Sequence, residues 1–75
     1  MNYGRIRFYN AKRGFGFIRP ASGEEDIFFH FTELPPGSIP ESDMTVEFTL
    51  GKRKGQIVAK DVRPLETEVN VNERN

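Results

Sequence analysis

Short segments rich in β-favouring residues, separated by turns, leave this chain little room for helices. Their branched and aromatic side chains and their polar–apolar alternation identify five such segments. They comprise residues 5–10, 15–19, 26–31, 46–50 and 56–62. Pro35, Pro36 and Pro40 interrupt the longest interval between them, so we expect at most one helical turn there, near residues 32–34. The pattern therefore predicts an all-β fold.

The chain must stabilise this fold with a small core and without covalent cross-links. A domain of about this size buries only about 60% of the surface that its unfolded chain exposes. The sequence contains no cysteine, which excludes disulfides and thiolate metal sites. Because a closed sheet has no unpaired edges, we expect a five-stranded antiparallel barrel. It is expected to occupy residues 1–65, followed by a flexible acidic tail over residues 66–75.

No stretch of the sequence is typical of a targeting or membrane-spanning segment. The residues after Met1 lead directly into the first β segment, without an apolar run of signal-peptide or transmembrane length. The lack of cysteine fits a reducing compartment. We therefore expect a cytoplasmic protein with no membrane partner.

Charge is segregated along the chain, although the net charge is zero. Residues 1–19 contain basic side chains and no acidic ones, and residues 20–50 contain acidic side chains and no basic ones. Residues 51–65 are again mainly basic. This asymmetry indicates a charged partner that the net charge conceals. The alternative interpretation is that the charges serve solubility alone.

Strand alternation predicts an aromatic outer face and a largely aliphatic inner face, because successive side chains point to opposite sides of a sheet. The outer set is Phe15, Phe17, Phe28 and His30, and the inner set is Ile6, Ile18, Ile27 and Phe29. Phe8 and Phe31 lie at segment ends, where a twist or a bulge can turn a side chain outward.

The alternative is that every phenylalanine belongs to the core. The chain contains seven of them, and a barrel of this size cannot bury them all beside its isoleucines and valines. We assign Phe29 and Phe48 to the core and the others to the outer face. Leu34 and Ile39 are expected to anchor the proline-rich interval to the core, and Ile57 is counted among the residues of the last segment available for burial.

Two motifs, in this order, resemble those of the cold-shock domain family. Residues 13–18, Arg-Gly-Phe-Gly-Phe-Ile, match the first ribonucleoprotein motif of the family, and residues 27–31, Ile-Phe-Phe-His-Phe, match the second. Residues 4–10 and 59–62 are similar to its opening and closing strands, so the resemblance covers residues 3–65. On this basis the chain is identified as a member of the family, of its small bacterial type.

RNA-recognition motif domains share a similar first motif. Their fold would require the second motif before the first, together with two amphipathic helices, and this chain has neither. The resemblance therefore implies a five-stranded barrel of the oligonucleotide/oligosaccharide-binding (OB) type that holds single-stranded RNA or DNA.

The resemblance also implies a set of residues that stack on bases or contact base edges. This set is Phe8, Phe15, Phe17, Phe28, His30 and Phe31. The basic side chains expected to attract phosphates are Arg7, Lys12, Arg13 and, from the charged segment 52–54, Lys54. Asp26 matches an acid that orients nearby groups, and Gly16 is expected to leave room beside the rings for a base.

Four departures from the family pattern accompany the match, and one of them is the unusually high charge of the segment 52–54. Phe8 stands where tryptophan is usual, and Phe29 where valine is usual, so the core near Phe29 must pack differently. The loop at 32–45 is shorter than usual and has prolines in place of an aromatic residue. One stacking platform is therefore expected to be missing.

The predicted function is single-stranded nucleic-acid binding by base stacking, as a nucleic-acid chaperone or a regulator of transcription or translation. We expect no enzymatic activity, no cofactor, no bound metal ion and no small-molecule substrate. His30 has no second histidine or cysteine to complete a site, and the acidic run 24–26 is interpreted as a solvated turn. The alternative function is a small protein-interaction module that uses the same exposed aromatic residues. The sequence does not distinguish a monomer from a strand-swapped dimer.

Overall fold

The computed structural model describes residues 1–65, which form a closed barrel of five strands. The strands are β1 Asn2–Asn10, β2 Phe15–Pro20, β3 Ile27–His30, β4 Thr45–Arg53 and β5 Gln56–Pro64, with a 3₁₀ helix at Phe31–Glu33. Their order around the barrel is β1-β2-β3-β5-β4. The β3–β5 pair is parallel, and the other four pairs are antiparallel. The predicted all-β barrel is confirmed, whereas the predicted tail at 66–75 lies outside the described residues.

All five strands contribute to a single apolar core. Its buried side chains are Ile6, Ile18, Phe29, Val46, Phe48, Val58, Ala59 and Val62. Phe29 and Phe48 are fully buried, as predicted from their alternation. Ile27 is only half-buried, but it packs against this core. The core is therefore complete without the remaining phenylalanines.

The proline-rich interval is anchored at its two ends and not at its middle. Leu34, which caps the 3₁₀ helix, and Met44, just before β4, pack against the core. The prediction that Ile39 would also anchor it is wrong, since Ile39 is 75% exposed. Backbone hydrogen bonds from Asp43 N–H to the Ile6 carbonyl and from Ile6 N–H to the Met44 carbonyl fix the end of the interval to β1. Met44 thus takes the place expected for Ile39.

The β4–β5 hairpin is longer than the sequence pattern predicts. Residues 51–53, which lie between the predicted segments 46–50 and 56–62, belong to β4, and the turn consists of Lys54 and Gly55 alone. Both turn residues have left-handed backbones, with φ of 52° and 81°, as in the two-residue turns that match the twist of a hairpin. The assignment of Ile57 to the core is also wrong: it pairs with Lys52 and is 53% exposed.

No helix within residues 1–65 is long and apolar enough to span a membrane.

Candidate nucleic-acid interface

A bulge in β1 turns Phe8 to the outer face. The β1–β2 register pairs Ile6 with Ile18 and then Phe8 with Phe17, so Arg7 is an extra residue on β1. Because one inserted residue reverses the alternation beyond it, Arg7 and Phe8 are both exposed. Phe8 is 45% exposed. The expected outward turn of Phe8 is thus produced by a bulge.

Four phenylalanine rings from three strands form one cluster outside the barrel. Phe15 stacks on Phe28 at 5.6 Å between ring centroids, and Phe17 meets Phe28 edge-on at 5.9 Å. Phe8 lies 6.2 Å from Phe15 and 6.4 Å from Phe17. Phe15, Phe17 and Phe28 are half-buried because these rings cover one another. With His30 and Phe31, this cluster is called the aromatic face below.

Gly14 seats Phe31 at one end of the aromatic face. Its φ of 76° suits a residue without a Cβ, and a Cβ there would lie 2.7 Å from the Phe31 ring. The Phe31 N–H donates to the Gly14 carbonyl at 2.8 Å, and the Gly14 N–H donates to the Asn10 carbonyl at 2.7 Å. Phe31 remains 51% exposed. The turn between β1 and β2 therefore positions a ring that belongs to the second motif.

His30 joins β3 to the 3₁₀ helix and presents one ring edge. Its Nδ1 accepts the Thr32 N–H at 3.3 Å and lies 2.9 Å from the Thr32 hydroxyl. Because a backbone N–H can only donate, the proton of a neutral His30 ring is on Nε2. The ring lies 4.9 Å from Phe31 and is opposite Phe15 in the β2–β3 ladder. His30 can therefore donate from Nε2 at the edge of the aromatic face.

The structure corrects the expected role of Gly16, which is buried and points away from the rings of the aromatic face. A Cβ there would collide with the Phe8 carbonyl and lie 2.8 and 2.9 Å from two atoms of the Phe29 ring. Gly16 thus makes room for Phe29 and for the backbone of β1, and not for a base. The missing side chain compensates for the large core residue on β3.

Basic side chains lie beside the aromatic face, with Arg7 next to the middle of β2 and Lys12 and Arg13 in the turn before it. The Arg7 Nε lies 3.4 Å from a carboxylate oxygen of Asp26. Because β2 lies between β1 and β3, this ion pair crosses the outer side of β2. Lys12 and Arg13 are exposed in the turn that leads to Phe15, and no carboxylate of residues 1–65 lies within 4.0 Å of either one.

A groove of about 560 Å³ adjoins the aromatic face and contains residues that the sequence analysis missed. Phe17 and Phe28 line it together with Leu50 and Ile57 of the β4–β5 hairpin. Lys54, the remaining predicted contact, lies in the turn of that hairpin and outside the ring cluster. Strand alternation alone does not identify this pair, because Leu50 and Ile57 come together only through the two-residue turn at 54–55.

The family model of the 'Cold-shock' DNA-binding domain matches residues 2–65. The chain belongs to the cold-shock domain family. This family is nucleic-acid binding and non-enzymatic, and within residues 1–65 no three His, Cys, Asp or Glu side chains form a group that could hold a metal ion.

Two mycobacterial cold-shock proteins are similar to this chain along their whole length. "Probable cold shock protein A" of Mycolicibacterium smegmatis is 36% identical over 67 residues, covering 87% of this chain and 100% of that protein. The protein of the same description from Mycobacterium tuberculosis is 37% identical with the same coverage. The solved structure "drosophila Unr CSD456" matches 99% of this chain at a TM-score of 0.74 and 27% identity, and the chain spans 29% of its length.

Proposed function

We propose that this cold-shock domain binds single-stranded RNA or DNA by stacking bases on the aromatic face. The observation that carries the proposal is the separation of two aromatic sets. Phe29 and Phe48 complete a fully buried core, whereas four other rings gather on the outside within 6.4 Å of a neighbour. A marginal barrel gains little from such a cluster unless a partner covers it.

The energetics of stacking favour single strands. Base–aromatic stacking contributes about 1–3 kcal/mol per base and tolerates any sequence. Three or four platforms therefore provide binding free energy beyond the cost of association. A duplex hides its base faces, so a single strand is the ligand that this surface fits. Holding strands open in this way is the proposed basis of chaperone activity or of regulation of transcription or translation.

The basic residues contribute an electrostatic part of the binding free energy that does not depend on the base sequence of the ligand. In this proposal Arg7, Lys12 and Arg13 attract phosphates beside the rings, and Lys54 does so from the hairpin turn. Each neutralised phosphate of a single strand adds about 0.7 to the slope of log affinity against log salt. The proposal describes a non-enzymatic cytoplasmic protein that binds as a monomer or as a strand-swapped dimer.

The test is a titration with oligo-dT and oligo-U at several salt concentrations, followed by NMR shifts. We expect Phe15→Ala and Phe17→Ala each to weaken binding by about 1–3 kcal/mol. Ile39→Ala is the matched control, because it removes an exposed apolar side chain from the proline-rich loop and is expected to leave affinity unchanged. If the unaltered domain binds neither oligomer at low salt, the proposal fails, and the aromatic face is then better explained as a protein-binding surface.

A further inference from the structure

Two arginines face each other on the outer side of the barrel and are not used by the proposed function. Arg5 of β1 is directly opposite Arg19 of β2 in the ladder, and both are exposed. Among the residues that the structure describes, no carboxylate lies within 4.0 Å of either guanidinium group. Like charges in directly opposite positions destabilise a sheet. The repulsion between the two arginines therefore destabilises the sheet locally, and an anionic ligand bound between them would remove this repulsion.

Tyr3 completes a small site around these two arginines. It precedes Arg5 by two residues, so both side chains leave the same side of β1, and Tyr3 is 49% exposed. Tyr3, Arg5 and Arg19 line a groove of about 410 Å³ together with Thr45 of β4. The acid placed closest by the register is Glu47, which is opposite Tyr3 on β4 and does not pair with either arginine. The groove therefore combines two cations with one exposed ring.

This groove continues the surface of the aromatic face. Arg19 follows Phe17 by two residues on β2, and Arg5 precedes Arg7 by two residues on β1. Residues two apart in a strand lie about 7 Å from each other on the same face. A single strand that leaves the ring of Phe17 along β2 therefore passes Arg7 and reaches the two arginines.

We propose that Arg5, Arg19 and Tyr3 form an additional subsite for the same nucleic-acid strand. The two guanidinium groups bind one backbone phosphate, for which their planar donor forks are suited, and the Tyr3 ring stacks on the adjoining base. The proposal rests on the proposed function and deepens it, since it predicts a longer footprint than the aromatic face alone provides. The ligand class is single-stranded RNA or DNA.

The test measures how affinity depends on the length of oligo-dT. In the unaltered domain, affinity is expected to rise with oligomer length until the aromatic face is covered. A second rise is expected when a longer oligomer also reaches Arg5 and Arg19. Arg5→Gln/Arg19→Gln is expected to abolish this second rise and to leave the affinity for the short oligomer within about twofold. The salt slope for the long oligomer falls by about 0.7 for the phosphate contact that is lost. Tyr3→Ala weakens binding of the long oligomer by about fivefold or more.

Arg19→Gln and Arg63→Gln provide the matched comparison, because each removes one exposed arginine from the end of a strand. Only Arg19→Gln is expected to reduce the second rise, and its unfolding temperature is expected not to fall, since it relieves the repulsion with Arg5. Equal losses in the two variants, or equal losses for short and long oligomers, would overturn the subsite. The proposed function fails in a different way, with no binding of any oligomer by the unaltered domain.

Discussion

Phe28 and Phe29 are adjacent in β3 and chemically identical, yet they belong to different parts of the molecule. Phe29 is fully buried and stacks on Tyr9, with 6.0 Å between ring centroids. Phe28 is half-buried and packs on Phe15 and Phe17 outside the barrel. A strand of four residues thus contributes one ring to the core and one to the candidate site. The pleat of the sheet, and not the residue type, assigns the two roles.

A surface cluster of rings suits binding because its members hold one another in place. The rings of Phe15, Phe17 and Phe28 support one another at 5.6 to 6.1 Å, so they are held in place before any ligand arrives. Groups that are already ordered lose little conformational entropy on association. The half-buried state of these rings is therefore compatible with stacking on bases.

The largest loss of stability is expected from Phe29→Ala. This change leaves a cavity in the core and should reduce the free energy of unfolding by about 3–5 kcal/mol, which a barrel of this size can hardly tolerate. Urea unfolding followed by circular dichroism measures the loss, and a variant that is unfolded without urea would agree with it.

Phe28→Ala is the matched variant on the outer face. We expect it to cost about 1 kcal/mol of stability and to weaken oligo-dT binding by about 1–3 kcal/mol. The distinction between the two rings is lost if Phe28→Ala destabilises the domain as much as Phe29→Ala does, or if it leaves oligomer affinity unchanged.

The next effect concerns the contact between Gly16 and Phe29. Gly16→Ala places a methyl group against the Phe29 ring and the Phe8 carbonyl, and overpacking of this kind costs about 1–3 kcal/mol. Adding Phe29→Val removes the ring and should recover part of that cost, whereas the contact with the carbonyl persists. A double-mutant cycle from urea unfolding gives the coupling energy, and additive losses would contradict a contact between the two positions.

Residues whose role depends on their own strand were predictable, and residues whose role depends on a partner strand were not. Alternation within β3 was enough to separate Phe28 from Phe29. Gly16 was misread because the ring that needs its space comes from β3, across the ladder. Ile57 was misassigned because its face depends on where the hairpin turns. Gly51 and Gly55 both favour a turn, so the sequence does not identify the two-residue turn at Lys54 and Gly55.

The Arg7–Asp26 ion pair crosses the outer face, and its removal tests the electrostatics of the site with the smallest change. Both side chains are substantially exposed, at 52% and 36%, so Asp26→Asn should change stability by at most about 1 kcal/mol. The change frees Arg7 for a phosphate and removes a negative charge from the approach. We therefore expect tighter binding of oligo-dT and a salt slope steeper by about 0.7.

Glu33→Gln is the control for Asp26→Asn, because Glu33 forms the other described ion pair, with Lys60 at 3.6 Å. It removes the same charge, but the lysine that it frees lies on β5, beside the 3₁₀ helix. At about 0.01 M salt, where the Debye length is about 30 Å, the loss of one negative charge would by itself strengthen binding by a similar factor in both variants. A larger gain for Asp26→Asn, measured in the same salt series, means that Arg7 contacts the strand directly. Equal gains would assign Arg7 to the general field of the domain and leave the rings of the aromatic face as the only local contacts at that point of β1.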